Sequence, residues 1–176
     1  MKLSEYMAAV SAAATGERTG RQMVLAVDCT ASHSATSPDD YAIVAQHIEN
    51  HGASLSPTTV DKAYIGEGET TLKTGTKRTF NVTGQLLRGD DFHDFINSHE
   101  IKYGVGSSVQ RDYVYFDPGT KKGEKGIVTI AVNKDGAGAA SDPGDIDVTL
   151  SVVGTPEEFT YTSSSPTQPT QDEGGE

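Results

Sequence analysis

The sequence has no tryptophan, a single cysteine (Cys29), and aromatic residues at only 7% of its 176 positions. One cysteine excludes an internal disulfide and any zinc site built on cysteines, so Cys29 reads as a small buried or half-buried thiol. Long apolar runs are also missing. The best, "MVLAV" from Met23 to Val27, falls far short of the ~20 residues that a bilayer crossing needs. No membrane partner is expected. Ser4, Glu5 and Ser11 interrupt the N-terminal segment, which therefore lacks the apolar core of a secretory leader; synthesis in the cytosol is expected.

Basic residues are absent from the last quarter of the chain. Residues 135–176 hold nine of the 25 acids and no Lys or Arg, which leaves 16 acids against 14 basic residues in 1–134. An acidic field repels nucleic acid and excludes a module that grips DNA. It still permits a surface that DNA passes without sticking. The length supports one domain with a real core, and 19 glycines suit a turn-rich β domain.

What is present is mostly strand. "RQMVLAVDC" has strand length and composition, and Ile43, Val44 and Ile48 suggest another strand that the polar "NHGASLSP" breaks. "TTVDKAYIG" reads as a more exposed strand, and "EGETTLKTGTK" as an extended loop or hairpin arm. Phe80, Val82, Gly84 and Leu86 alternate with Thr79, Asn81, Thr83 and Gln85, the pattern of a half-buried strand. "DYVYF" follows, then a lysine-rich hairpin, then the alternating "GIVTIAV" and "IDVTLSVV" on either side of a Gly/Ala/Asp loop that starts at Asn133. Six or seven strands without a strand–helix rhythm predict a mainly β fold: an antiparallel β-sandwich or barrel with one flanking α-helix. Residues 1–20 are expected to form an N-terminal arm with a partial helix, 21–162 the β domain, and 163–176 a disordered acidic tail.

"RGDDFHDFINSHE" holds acids and two histidines, residue types that bind metals. Phe92, Phe95, Ile96 and His99 instead fall at i, i+3, i+4 and i+7, the stripe of a helix lying on a core. Asp90 can cap that helix, and Asp91 and Asp94 suit its positive end. His93 and His99 stand six residues apart and point to different faces, unlike the i, i+4 pair of a helical zinc site. Phe92, Phe95 and Ile96 are therefore assigned to helix packing. Phe95→Asp is expected to destroy folding or assembly, and His93→Ala to do little. His33, His47 and His51 could meet in space, but read as surface histidines. No nucleophile or acid/base pair is nominated, no cofactor or metal is implied, and no enzyme is expected.

Three stretches carry a family likeness: "YIGEGETTLKTGTKRTFNVTGQLLRGDDFHDFINSHEIKYGVG", "YVYFDPGTKKGEKG" and "IDVTLSVVGTPEEFT". In order and spacing they resemble the major tail tube proteins of long-tailed, non-contractile bacteriophages, over roughly residues 41–160. That resemblance implies a subunit that assembles with itself into hexameric rings, stacked as a tube through which the genome is ejected into the host. It places the protein in the virion, with tail initiator and distal tail proteins, a terminator, and a tape measure protein in the lumen as partners. DNA would pass without specific binding. The segment from Ser54 to Thr79 would contact neighbouring subunits or rings through Thr58, Val60, Tyr64, Ile65, Leu72 and Lys73. Glu67, Glu69, Asp142, Asp145 and Asp147 are candidates for negative charge in the lumen. The runner-up is a non-enzymatic β-sandwich module that binds protein or carbohydrate.

Overall fold

Among the described residues seven segments form strands, and their pairing makes one antiparallel sheet. The computed structural model describes residues 1–9, 23–30, 35–139 and 141–162; the expected tail at 163–176, most of the N-terminal arm, and His33 lie outside them. The strands are β1 (Val24–Asp28), β2 (Tyr41–Ile43), β3 (Ile48–Tyr64), β4 (Gly68–Gln85), β5 (Gln110–Phe116), β6 (Lys122–Ala137) and β7 (Asp145–Thr160). Their order in the sheet is β2-β1-β5-β6-β7-β4-β3.

The two edge strands of that order, β2 and β3, are consecutive in the chain. Residues 44–47 join them, and so short a link spans at most about 17 Å of extended chain. Val44 N–H donates to Leu25 O of β1, and Gln85 N–H of β4 donates to His47 O, both at 2.9 Å. The link thus ties one edge of the sheet to the other, and the sheet rolls into a barrel-like body. At this seam a Cβ on Gly84 would stand 2.2 Å from His47 O, so only glycine permits the approach.

Inside the roll, Leu25 and Val27 of β1 meet Phe80 and Val82 of β4, Val128 of β6 and Leu150 of β7 in one core. Phe80 packs edge-on against Tyr113 with centroids 5.4 Å apart, although β4 and β5 are separated by two strands in the sheet order. The opposite faces of β1, β2 and β5 hold a second core. There Leu3 of the N-terminal helix α1 (Leu3–Ala9) sits with Val24, Ala26, Ile43 and Phe116.

The expected flanking helix arrives as two short ones, α2 (Asp91–Ile96) and α3 (His99–Tyr103). Asp90 caps the first, accepting from Phe92 N. The break falls at Asn97–Ser98, where Ser98 caps afresh by accepting from Ile101 N at 3.4 Å. Asn and Ser compete for backbone partners and favour caps over helix interiors. Phe92 and Ile96 are buried against the first core, while Phe95 is half-buried, with the Arg111 guanidinium 5.2 Å above its ring. The restart turns His99 out to solvent.

His93 corrects the expectation that its loss would do little. It is fully buried, with Nε2 2.7 Å from Gln46 O, and Leu87 N–H donates to Nδ1 at 3.4 Å. These partners fix the tautomer protonated at Nε2. His93 therefore pins the 44–47 seam and the end of β4 to α2. We expect His93→Ala to cost about 2–4 kcal/mol through the cavity and the two stranded backbone groups. Chemical denaturation measures it; an unchanged midpoint would show that the seam holds without the imidazole.

Two further expectations are corrected. "NHGASLSP" does not break a strand: β3 runs through it, paired to β4 from Ile48 to Tyr64. Nor does the Gly/Ala/Asp loop begin at Asn133, because β6 continues to Ala137 and pairs it with Asp145. Lys102 Nζ holds Asp135 Oδ2 at 2.7 Å and ties α3 to that end of β6.

Candidate assembly surface

β4 bonds to β7 only from Thr79 to Gln85. Upstream, Gly68–Arg78 pairs with β3 alone, so the hairpin leaves the body as a free arm. Its ten residues of β3 and eleven of β4 reach about 35 Å at a strand's rise. Threonine explains why a strand forms here without a core, since its branched side chain favours the pleated backbone and its hydroxyl keeps both faces solvated. Thr71 Oγ1 donates to Asp61 Oδ1 across the ladder at 2.7 Å. Gly66 and Gly68, at φ 101° and 79°, make the turn.

A one-residue bulge at Thr74, between the pairs Thr58–Gly75 and Thr59–Lys73, resets which side chains share a face. Thr58, Val60, Tyr64 and Leu72 stand on one face, with Val60 directly opposite Leu72 and exposed Lys62 between Val60 and Tyr64. Ile65 projects from the turn, fully exposed. Lys73 stands opposite Thr59, on the other face. Of the six residues expected to form contacts, four therefore share a face, one forms the tip and one points away. Exposed apolar side chains on a strand with an unpaired edge are a liability in a monomer and invite association.

The arm's root is anchored. Arg78 stacks 5.0 Å over Phe80 and 5.0 Å over Tyr115, and its Nε lies 2.8 Å from Glu124 Oε1. Tyr113 O–H donates to the same carboxylate at 3.3 Å. Burial, with Glu124's charge, pushes the Tyr113 phenol well above its ordinary range. Beyond this cluster the arm and the far end of β7 diverge around an open cleft of about 510 Å³, with Leu55, Lys73 and Arg78 on one wall and Glu124, Pro156 and Glu158 on the other.

The candidate lumen acids fall into two groups. Glu67 and Glu69 lie at the arm tip; Asp142, Asp145 and Asp147 lie at the other end, where Asp145 pairs with Gln85. About 50 Å of strand β4 separates them. Between them, the outward face across β6, β7, β4 and β3 carries Thr129, Ser151, Thr79 and Ser54 in one row, and Ala131, Thr149, Asn81 and Gly52 in the next. Neither row holds a charge. Asp147 follows in the next row, paired with exposed Lys134 of β6 and held by Asn133 Nδ2 at 3.0 Å. This small, polar face is the feature that charge counting missed; its signal was the polar half of each strand's alternation.

On the other side of the body, burial and the charge of neighbouring Asp28 raise the Asp112 carboxyl above its ordinary value of 3.8. Burial, aided by Asp112, pushes the Tyr41 phenol up to about 12. Burial likewise pushes the half-buried Cys29 thiol up to about 12, which keeps it unreactive. Because folded Asp112 holds its proton more tightly than the unfolded chain, its contribution to stability is full below 3.8 and falls as pH rises past that value. Asp112→Asn is expected to raise the thermal midpoint by roughly 1–2 °C at neutral pH and to do nothing in strong acid. A pH-independent difference would point to packing instead.

Among the described residues, no group of three or more His, Cys, Asp or Glu is placed to hold a metal ion. No helix there is long and apolar enough to cross a membrane. His47 is exposed, and His51 meets Tyr115 edge-on at 6.5 Å.

No protein-family model matches the chain, and no curated protein matches it. Solved structures do. A chain from the tail of an empty GTA particle, computed with helical refinement and C6 symmetry, superposes with a TM-score of 0.61 at 14% identity, covering 82% of this chain and 100% of that one. A chain from the virion of a native gene transfer agent (GTA) particle gives a TM-score of 0.55 at 14% identity, with the same coverage. At this identity the likeness shows a shared, mainly β fold.

Proposed function

We propose that the chain is a structural subunit of a phage-type tail tube, assembling with itself into hexameric rings that stack into a conduit for the genome. The observation that carries this reading is the arm: a two-stranded ladder with exposed apolar side chains and a free edge, rigidly rooted, with no further strand paired to it among the described residues. The shared fold with a chain from a C6-symmetric tail supports the same reading. In such a tube the uncharged Ser/Thr/Asn face, edged by the Asp147–Lys134 pair, lines the lumen. Rows without Lys or Arg offer passing phosphates no attachment. Glu67 and Glu69, on the arm, then belong to the contacts between subunits. Tail initiator, terminator and tape measure proteins are the remaining partners, and the virion is the location. The protein acts without catalysis. Negative-stain electron microscopy of the concentrated protein tests the reading: hollow tubes or six-fold rings are expected, and a chain that stays monomeric at every concentration would refute it.

A further inference from the structure

Like charges directly opposite each other in a sheet repel across about 4.5–5.5 Å between Cβ atoms, and the pair is destabilising. On the face that holds the second core, β1 ends in such a pair. The register Val27–Tyr113, continued by one residue, sets Asp112 of β5 opposite Asp28, and Tyr41 of β2 pairs with Asp28 from the other side. Asp28 is fully buried. Its Oδ1 accepts from Thr30 N–H at 2.7 Å, whereas Oδ2 is buried without a hydrogen-bond partner, as is Thr30 Oγ1. A buried carboxylate oxygen that nothing neutralises is costly. Among the described residues no side chain neutralises it. Lys125 of β6, opposite Val114, acts on Asp112 from the next row, but its Nζ is held by Glu157 Oε2 at 3.3 Å. Arg111 belongs to the other face of β5, where Ser108 O and Glu100 Oε1 accept from it. Asp40 only adds negative charge beside Tyr41.

We propose that Asp28 Oδ2, the Asp112 carboxylate and Thr30 Oγ1 bind a hard divalent cation of the calcium type at this end of the second core. The donors are all oxygens, as such an ion requires, with no thiol or imidazole to favour a softer metal. Two carboxylates match its charge, and the rest of its shell is neutral oxygen. Water can complete that shell, because Thr30, Tyr41 and Asp112 are half-buried rather than sealed. The ion converts a repulsive cross-strand pair into a clamp between β1 and β5 and fixes the chain as it leaves β1. With two charged ligands, the affinity belongs in the weak range for calcium sites, a Kd of about 0.1–1 mM.

Thermal unfolding of the full chain, stripped with EDTA and then titrated with calcium chloride at neutral pH, tests this. About 10 mM Ca2+ is expected to raise the midpoint by about 3–8 °C. Asp112→Asn should keep its small gain in EDTA yet respond to Ca2+ by less than about 1 °C. Glu49→Gln, which removes an exposed acid on β3, should respond as the parent does. Terbium gives a second readout that does not depend on stability. The chain has no tryptophan, so sensitised Tb3+ emission has to pass through a tyrosine, and Tyr41→Phe should remove most of it. A Ca2+ response that survives Asp112→Asn would assign binding to the acidic surface at large and overturn the site. Emission unchanged in Tyr41→Phe would place the ion elsewhere and overturn it too. No response to Ca2+ would overturn the ion itself, and a midpoint that then rises on acidification would identify a proton shared by the two carboxylates in its place.

Discussion

Phe80→Ala is expected to remove about 3–5 kcal/mol of stability, much of what a domain of this size possesses. Phe80 has no exposed surface. Its ring meets Tyr113 at 5.4 Å and Tyr115 at 5.0 Å, so it fills the roll from wall to wall. Truncation opens a cavity that rigid strands on both sides cannot close, because each is held by its own ladder. It also strips the Arg78 guanidinium of one of its two ring partners, loosening the root of the arm. Urea denaturation measures the loss. A change below about 1 kcal/mol would mean that the interior repacks freely, contrary to a barrel closed through the 44–47 seam.

Excising the arm is expected to do the reverse, leaving folding intact and abolishing assembly. Leu55 pairs with Arg78, so replacing residues 56–77 by Asn-Gly joins the strands in register through a two-residue turn. All the deleted side chains except Thr70 are exposed, and the Arg78–Glu124 anchor is retained. The thermal midpoint should therefore stay within a few degrees, while tubes formed by the intact chain disappear from negative-stain fields. Tubes persisting without the arm would transfer assembly to the sheet faces alone.

Much of the β body was legible because one-sided burial writes itself into sequence. Phe80 and Val82 alternate with Thr79 and Asn81, and Ile146, Val148 and Leu150 alternate with Asp147 and Thr149. In each case the apolar set is the buried one. The first half of β3 was illegible for the converse reason: residues 49–57 are mostly exposed and none is an apolar core residue, so no periodicity marks them, and their strand conformation comes from pairing with β4. His93 was misread because a histidine beside aspartates looks the same whether its ring meets water or two backbone groups. Only the seam's proximity decides, and that seam joins residues more than 40 positions apart.

The chain by itself determined a mainly β fold, the inward side of its regular strands, the Asp90 cap that starts a helix, and an acid-rich end without Lys or Arg. These follow from local preference, alternation and charge, which neighbouring residues set among themselves. The tertiary structure alone decided that β2 and β3 close the roll, that Gly84 must lack a side chain, that the candidate acids part into two groups, and that the arm stands clear of the body. Each depends on which distant strands pair, and therefore on contacts whose partners no local stretch contains.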